Sequence, residues 1–178
     1  MKRNLVIALL SLFASQGVFA LDCTDNAVNA IANLAEQINP DFSSPTVDIV
    51  LAIEGIAISC PETRVKCAAA RVLALGMNPM FSSPTLDVSA VLSRICGANK
   101  YCAIDALNSL SYGMNANFSS PTEALARDIV KIVKAAPYLE VKAKAITVLS
   151  LGLNGDFQNP TRVCAEAIAE VGKCSLRN

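Results

Sequence analysis

Few side chains in this sequence could do chemistry, and the kinds that are missing narrow the field first. The 178 residues include no histidine. That removes Ser-His-Asp and Cys-His nucleophilic catalysis, imidazole metal ligation and any histidine-based pH response. No Gly-rich phosphate loop occurs, and the glycines stand mostly near predicted helix ends. General acid–base work would fall to paired carboxylates. Glu166 and Glu170 stand four apart on one predicted helix, a spacing that a solvated face explains as well. The sequence thus names no catalytic residue and no cofactor, and an enzyme is the least expected class. Asn117-Phe-Ser119 matches a glycosylation acceptor, yet it falls inside a loop motif with a structural role of its own.

Cysteine is the other reactive type, at positions 23, 60, 67, 96, 102, 164 and 174. The nearest spacings, Cys60-x6-Cys67 and Cys96-x5-Cys102, are not the short ones of a zinc site, and no metal is expected. Lys2 and Arg3 precede an apolar run from Leu5 to Phe13, and Val18-Phe-Ala20 supplies small residues where cleavage would occur. This predicts a secretory signal peptide over residues 1–20, cleaved after Ala20, and a secreted or periplasmic chain without a transmembrane segment. An oxidising destination favours disulfides. Cys96 should end a helix before Gly97, with Cys102 in the first turn of the next. Cys23 should open the first helix and Cys60 close the second, so a hairpin brings them together. Cys67 with Cys96 is a competing scheme. Cys164 and Cys174 on one helix would stand about 15 Å apart, too far to pair. Cys67 and Cys164 align with apolar residues elsewhere and read as core filler.

The elements that position these groups come from a repeat. Asn78-Pro-Met-Phe-Ser-Ser-Pro-Thr85 recurs as Asn39–Thr46, as Asn115–Thr122 and, loosened, as Asn154–Thr161. The markers Phe42, Phe81, Phe118 and Phe157 are separated by 39, 37 and 39 residues, a period typical of stacked helical repeats. Before each loop, Ala30, Ala69, Ala106 and Ala145 are followed four residues on by Leu34, Leu73, Leu110 and Leu149. Ile38, Met77, Met114 and Leu153 follow after four more, which is one face of a helix. Gly76, Gly113 and Gly152 stand where that helix nears its end. After each loop a second apolar stripe begins, as in Val88, Leu92 and Ile95. Units of about 38 residues result, over about 24–60, 61–98, 99–136 and 137–174 of a single domain spanning 21–178.

Local chemistry predicts the loop's geometry. The Asn would take the left-handed conformation that ends a helix, and the Phe would turn inward to plug the gap between helices. Ser44, Ser83, Ser120 and Asn159 would be N-caps, each followed by a proline (Pro45, Pro84, Pro121, Pro160) at the first helical position. Ser120 with Glu123 would complete a capping box.

The stretch Cys60-Pro-Glu-Thr-Arg-Val-Lys-Cys-Ala-Ala-Ala-Arg-Val-Leu-Ala-Leu-Gly76 resembles HEAT repeats. So does Tyr138-Leu-Glu-Val-Lys-Ala-Lys-Ala-Ile-Thr-Val-Leu-Ser-Leu-Gly152, with its Val beside a basic residue, then Ala, Leu and Leu-Gly. The resemblance implies an all-α, right-handed, two-layer α-solenoid of four helix-loop-helix units that serves as a scaffold for protein partners. It carries no active-site residue.

Composition agrees with closely packed helices, since hydrophobic residues make up 53% and aromatic ones only 5%. Without Lys2 and Arg3 the chain has 13 basic and 15 acidic residues, which excludes a nucleic-acid footprint. Residues 21–99 are net acidic and 100–178 net basic. The segment Val47–Ile58 is apolar on nearly every side. Val50, Leu51 and Ile58 stand where later units have Ala126, Arg127 and Lys134, and Met80 adds an apolar residue to its loop. These four residues form the candidate contact patch for an unknown protein partner. The expected function is an exported, non-enzymatic protein-interaction module. The alternatives are a carrier holding an apolar ligand or lipid within curled helices, and a structural protein assembling head to tail.

Overall fold

The computed structural model describes residues 23–177, so the leader predicted over 1–20 lies outside the described residues. Within them the chain is all-α: eight α-helices and no strand. They are α1 (Cys23–Ala35), α2 (Ser43–Ser59), α3 (Thr63–Val72), α4 (Thr85–Ile95), α5 (Lys100–Ser111), α6 (Ser119–Ala135), α7 (Leu139–Ser150) and α8 (Gln158–Lys173). A 3-10 turn over Leu73–Gly76 extends α3. No described helix is long and apolar enough to cross a membrane.

Each copy of the eight-residue motif joins two helices into a hairpin. The hairpins pack in sequence order, α1, α3, α5 and α7 lying one on the next, as do α2, α4, α6 and α8. The apolar stripes read from the sequence supply the core between these two rows. Ala69, Leu73, Ala106, Leu110, Ala145 and Leu149 are buried, and so are Leu92, Ile95, Ile129 and Ile132 from the facing helices. The stripe of the first hairpin (Ala30, Leu34, Ile38) is only half covered, because no hairpin precedes it among the described residues.

Polar contacts one repeat apart tie neighbouring hairpins together. Arg64 binds Asp25 at 2.6 Å, Arg71 binds Asp105 at 3.0 Å and Lys100 binds Glu140 at 3.2 Å between successive odd helices. Between even helices, Arg94 donates twice to Glu54 (2.6 and 3.0 Å) and Lys134 binds Glu170 at 2.5 Å. Between α4 and α6 the link is buried instead: the Ser89 hydroxyl donates to Asp128 at 2.6 Å. Exposed pairs of this kind contribute little each, about 0–1 kcal/mol, and they fix register more than they add stability.

Both favoured cysteine pairs form. Cys23 and Cys60 (Cα–Cα 6.5 Å) join the start of α1 to the end of α2, and Cys96 and Cys102 (5.1 Å) staple the α4–α5 corner. The competing Cys67–Cys96 scheme is thereby excluded. Cys67 and Cys164 are buried free thiols, and burial pushes the Cys164 thiol up to about 11. Cys174 is half-exposed. Lys142 donates to the carbonyls of Gly172 (3.1 Å) and Cys174 (2.7 Å), where the C-terminal end of α8 favours a cation.

Leu110 is fully buried at the centre of the array, so Leu110→Ala should destabilise by about 2–5 kcal/mol, measured by urea unfolding.

Candidate functional site: the stacked loop edge

The four motif loops share one geometry, and their chemistry is not the expected capping. The hydroxyl of the threonine that ends each motif reaches back seven residues to the asparagine that begins it. Thr46 Oγ1 accepts from the Asn39 N–H (3.1 Å) and donates to the Asn39 carbonyl (2.5 Å). The same two-way bond joins Thr85 to Asn78 (2.9 and 2.7 Å) and Thr122 to Asn115 (3.1 and 2.6 Å). Thr161 binds Asn154 in the same way (2.8 and 2.5 Å). The asparagine side chain completes the loop from inside. Asn39, Asn78, Asn115 and Asn154 each accept at Oδ1 from the backbone N–H two residues on, at 3.0 Å in every copy, an Asx turn. The N–H of each Phe then returns to the Asn carbonyl at 3.1–3.3 Å.

Several expectations are corrected by this arrangement. No described non-glycine residue has positive φ, so the Asn positions are not left-handed; Gly97, at φ 52°, is the glycine that is. Gly76, Gly113 and Gly152 serve close packing instead. A Cβ on Gly113 would lie 2.7 Å from Leu125 Cδ2, 3.0 Å from the Met77 sulfur and 3.1 Å from Thr85 Cγ2. Ser44, Ser83, Ser120 and Asn159 cap nothing: the four helices that follow the loops begin without a side-chain cap. In the third loop the expected backbone does occur, with Ser120 extended (φ −104°, ψ 128°) and regular helix starting at Pro121, but the Ser120 hydroxyl bonds Ser82 instead of the backbone and the capping box with Glu123 does not form. Pro45 and Pro160 sit in the third helical position, and Pro84 immediately precedes its helix. The threonine hydroxyl already secures the loop, which leaves the serines free to reach sideways.

Neighbouring loops are joined edge to edge. Asn78 donates through Nδ2 to Asp41 (3.1 Å), Asn115 to the Pro79 carbonyl (3.4 Å) and Asn154 to Asn117 (2.8 Å). Ser43 shares a hydrogen bond with Ser83, and Ser82 shares another with Ser120 at 2.7 Å. The loops therefore form one continuous polar ribbon along the array.

Out of this ribbon stand the phenylalanines. Their rings were expected inside, yet Phe42, Phe81, Phe118 and Phe157 are 62%, 54%, 42% and 45% exposed. The gap they would have filled is occupied by Ile38, Met77 and Met114 together with the methyls of Thr46, Thr85 and Thr122, all meeting at the glycines. Leu75, Tyr112 and Leu151, each six residues before its Phe, add a second exposed row at the same end of the hairpins. None of the four motif loops contains a cation, and their only anions are Asp41 and Asp156. Sequence reasoning found the motif but not its outward face.

The patch predicted on α2 comes apart. Val50 is 0% exposed, turned inward with Ile53 and Ala57, and leaves the patch; Leu51 (50%) and Ile58 (64%) remain on the outer face. Met80, 63% exposed, belongs with the loop edge beside Phe81. Glu166 and Glu170 are both held by cations, Arg162 at 2.9 Å and Lys134 at 2.5 Å. They border a shallow depression between α6 and α8 floored by Val130, Val163 and Ala167.

Comparison with known proteins gives no matching family model, no matching curated protein and no matching solved structure.

Replacing buried Thr122 by Val keeps the shape and strands the Asn115 N–H and carbonyl. Urea unfolding should show a loss of about 1–3 kcal/mol. Val50→Asp should cost about 4 kcal/mol or more, whereas Leu51→Asp should leave the thermal midpoint nearly unchanged.

Proposed function

We propose that this chain is an exported, non-enzymatic protein-binding module: a right-handed, HEAT-like, two-layer α-solenoid of four units that presents its loop edge to a partner. Three observations support the solenoid reading. The motif recurs at a near-constant period, helices pack on their second neighbours in sequence order, and interhelical polar links recur at one-repeat separations. The two cysteine pairs fit an oxidising destination.

The row of exposed Phe42, Phe81, Phe118 and Phe157, with Met80 beside it, carries the choice of surface. Exposed aromatics in a line, each on a loop pinned at both ends, are anchors whose ordering cost is already met by folding. Aromatic anchors of this kind supply most of the energy in protein interfaces. Serine and asparagine groups alongside them would supply a polar rim. The contact patch thus moves from the α2 face to the loop edge, with Leu51 and Ile58 as a separate, smaller apolar spot.

The test is a capture experiment on proteins of the exporting compartment, using the wild type, a Phe81→Ala/Phe118→Ala double variant and a Leu51→Ser/Ile58→Ser double variant. The Phe pair should weaken capture of the specific partner by about tenfold or more with an unchanged thermal midpoint. Equal capture by wild type and the Phe variant would reject the loop edge, and selective loss in the α2 variant would return the site to that helix.

A further inference from the structure

The two ends of the array are chemically unlike. Positions that meet the preceding hairpin are apolar or small in the later hairpins: Val65, Cys102 and Val141 at one level, Val72, Ser109 and Val148 at another. In the first hairpin the same positions carry Asn26 and Asn33, both exposed, with Asn29, Glu36 and Gln37 around them. That is the polar outer face of a terminal cap.

At the other end the replacement is slight: Lys142, where Ala27 and Ala103 are buried, has its ammonium tied to the carbonyls of Gly172 and Cys174. The position that meets the following hairpin is Ile31, Ala70 and Leu107 in the first three units, all buried, and Ile146 in the fourth, 37% exposed. At a second such position Val50, Ser89 and Ala126 are buried, whereas Ala165 is exposed. A third runs through buried Ala57, Cys96 and Val133 to exposed Gly172. Beside them Leu153 is 40% exposed where Met77 and Met114 are buried. The outer side of α7 and α8 therefore keeps the character of an internal face of the stack.

We infer that this α7–α8 end face is the contact surface of a tail-to-tail homodimer, two copies meeting through their fourth units about a twofold axis. The first unit of another copy does not suit it, because Asn26, Asn29 and Asn33 would lose water against Ile146 and the alanines without gaining partners. A second copy of the end face itself does suit it: apolar meets apolar, and Ala165 and Gly172 permit close approach. Arg162 and Glu166, on the same helix, already neutralise one another at 2.9 Å. Two helices side by side, about 10 Å in diameter and about 20 Å long, offer roughly 400 Å² in projection. Side-chain relief brings the total for two copies to on the order of 1,000 Å², where specific interfaces begin, so the dimer is weak and concentration-dependent. This inference is independent of the loop edge, which lies at the side of the stack and stays free in the dimer.

Sedimentation equilibrium over a concentration series tests it, using the Cys174→Ser protein so that no interchain disulfide contributes. A monomer–dimer equilibrium is expected, little affected by salt. Ile146→Glu and Ala165→Glu should each weaken it by about tenfold or more, with circular dichroism unchanged, and Asn29→Lys should leave it intact. A monomer at every concentration would overturn the proposal, as would a dimer indifferent to both end-face substitutions. Larger species abolished by Asn29→Lys would overturn it in favour of head-to-tail assembly.

Discussion

The stack depends on a close approach at three glycines. Gly76, Gly113 and Gly152 each end the first helix of a hairpin where a side chain of the second helix comes too near for any Cβ: Val88, Leu125 and Cys164 respectively. The preceding hairpin supplies the rest of the pocket, through the methyls of Thr46, Thr85 and Thr122 and the ends of Ile38, Met77 and Met114. The same threonine that presses its methyl on the next glycine uses its hydroxyl to close its own loop. One residue thus serves the local turn and the stacking between units, and a hairpin whose loop opened would lose part of its contact with its successor. Coupling of this kind ties the packing of each hairpin to that of its neighbour.

The two edges of the array are held by different means. At the motif edge, hydrogen bonds within each loop and between loops make a ribbon of neutral polar groups. At the opposite edge the turns are short, and covalent links (Cys23 with Cys60, Cys96 with Cys102) join hydrogen bonds such as that from Asn99 to Thr63. The phenylalanines are carried by the edge with the denser network. A ring held on a pinned backbone loses little entropy on binding, which is the physical reason to look for recognition there rather than on the α2 face.

Much of the fold was legible in the sequence because its signals are periodic. The Ala-Leu stripe and the four-then-three spacing after each proline place every helix, and the ends of helices read from them bring the right cysteines together. The loop chemistry was not legible, for two reasons. Serine before proline is a strong capping signal, but capping rules consider a window of three or four residues, and the bond that closes this loop spans seven. Phenylalanine reads as core by hydrophobicity alone, and nothing in the sequence says that methionine and a threonine methyl have filled the space first. The split between Val50 and Leu51 is a matter of one residue, or about 100° around a helix, on a segment apolar enough to hide its own inward face.

Where the copies of the motif differ, the difference follows which neighbour each residue serves. Gly is replaced by Gln37 in the first hairpin, which has no predecessor among the described residues to press against. Threonine and asparagine persist in all four, including the last, because the bond between them lies within a single loop. The first serine of a pair reaches forward, Ser43 to Ser83 and Ser82 to Ser120, while Ser83 and Ser120, the second of theirs, look back; in the last loop Gln158 and Asn159 replace both kinds. The fourth loop still keeps Asn154, whose amide reaches back to Asn117, and Gly152, which still meets Met114 and Thr122 behind it. Drift in the motif is therefore selective: the backward contacts of the asparagine amide and the glycine survive in the last loop, and the hydroxyl pair that joins the earlier loops does not.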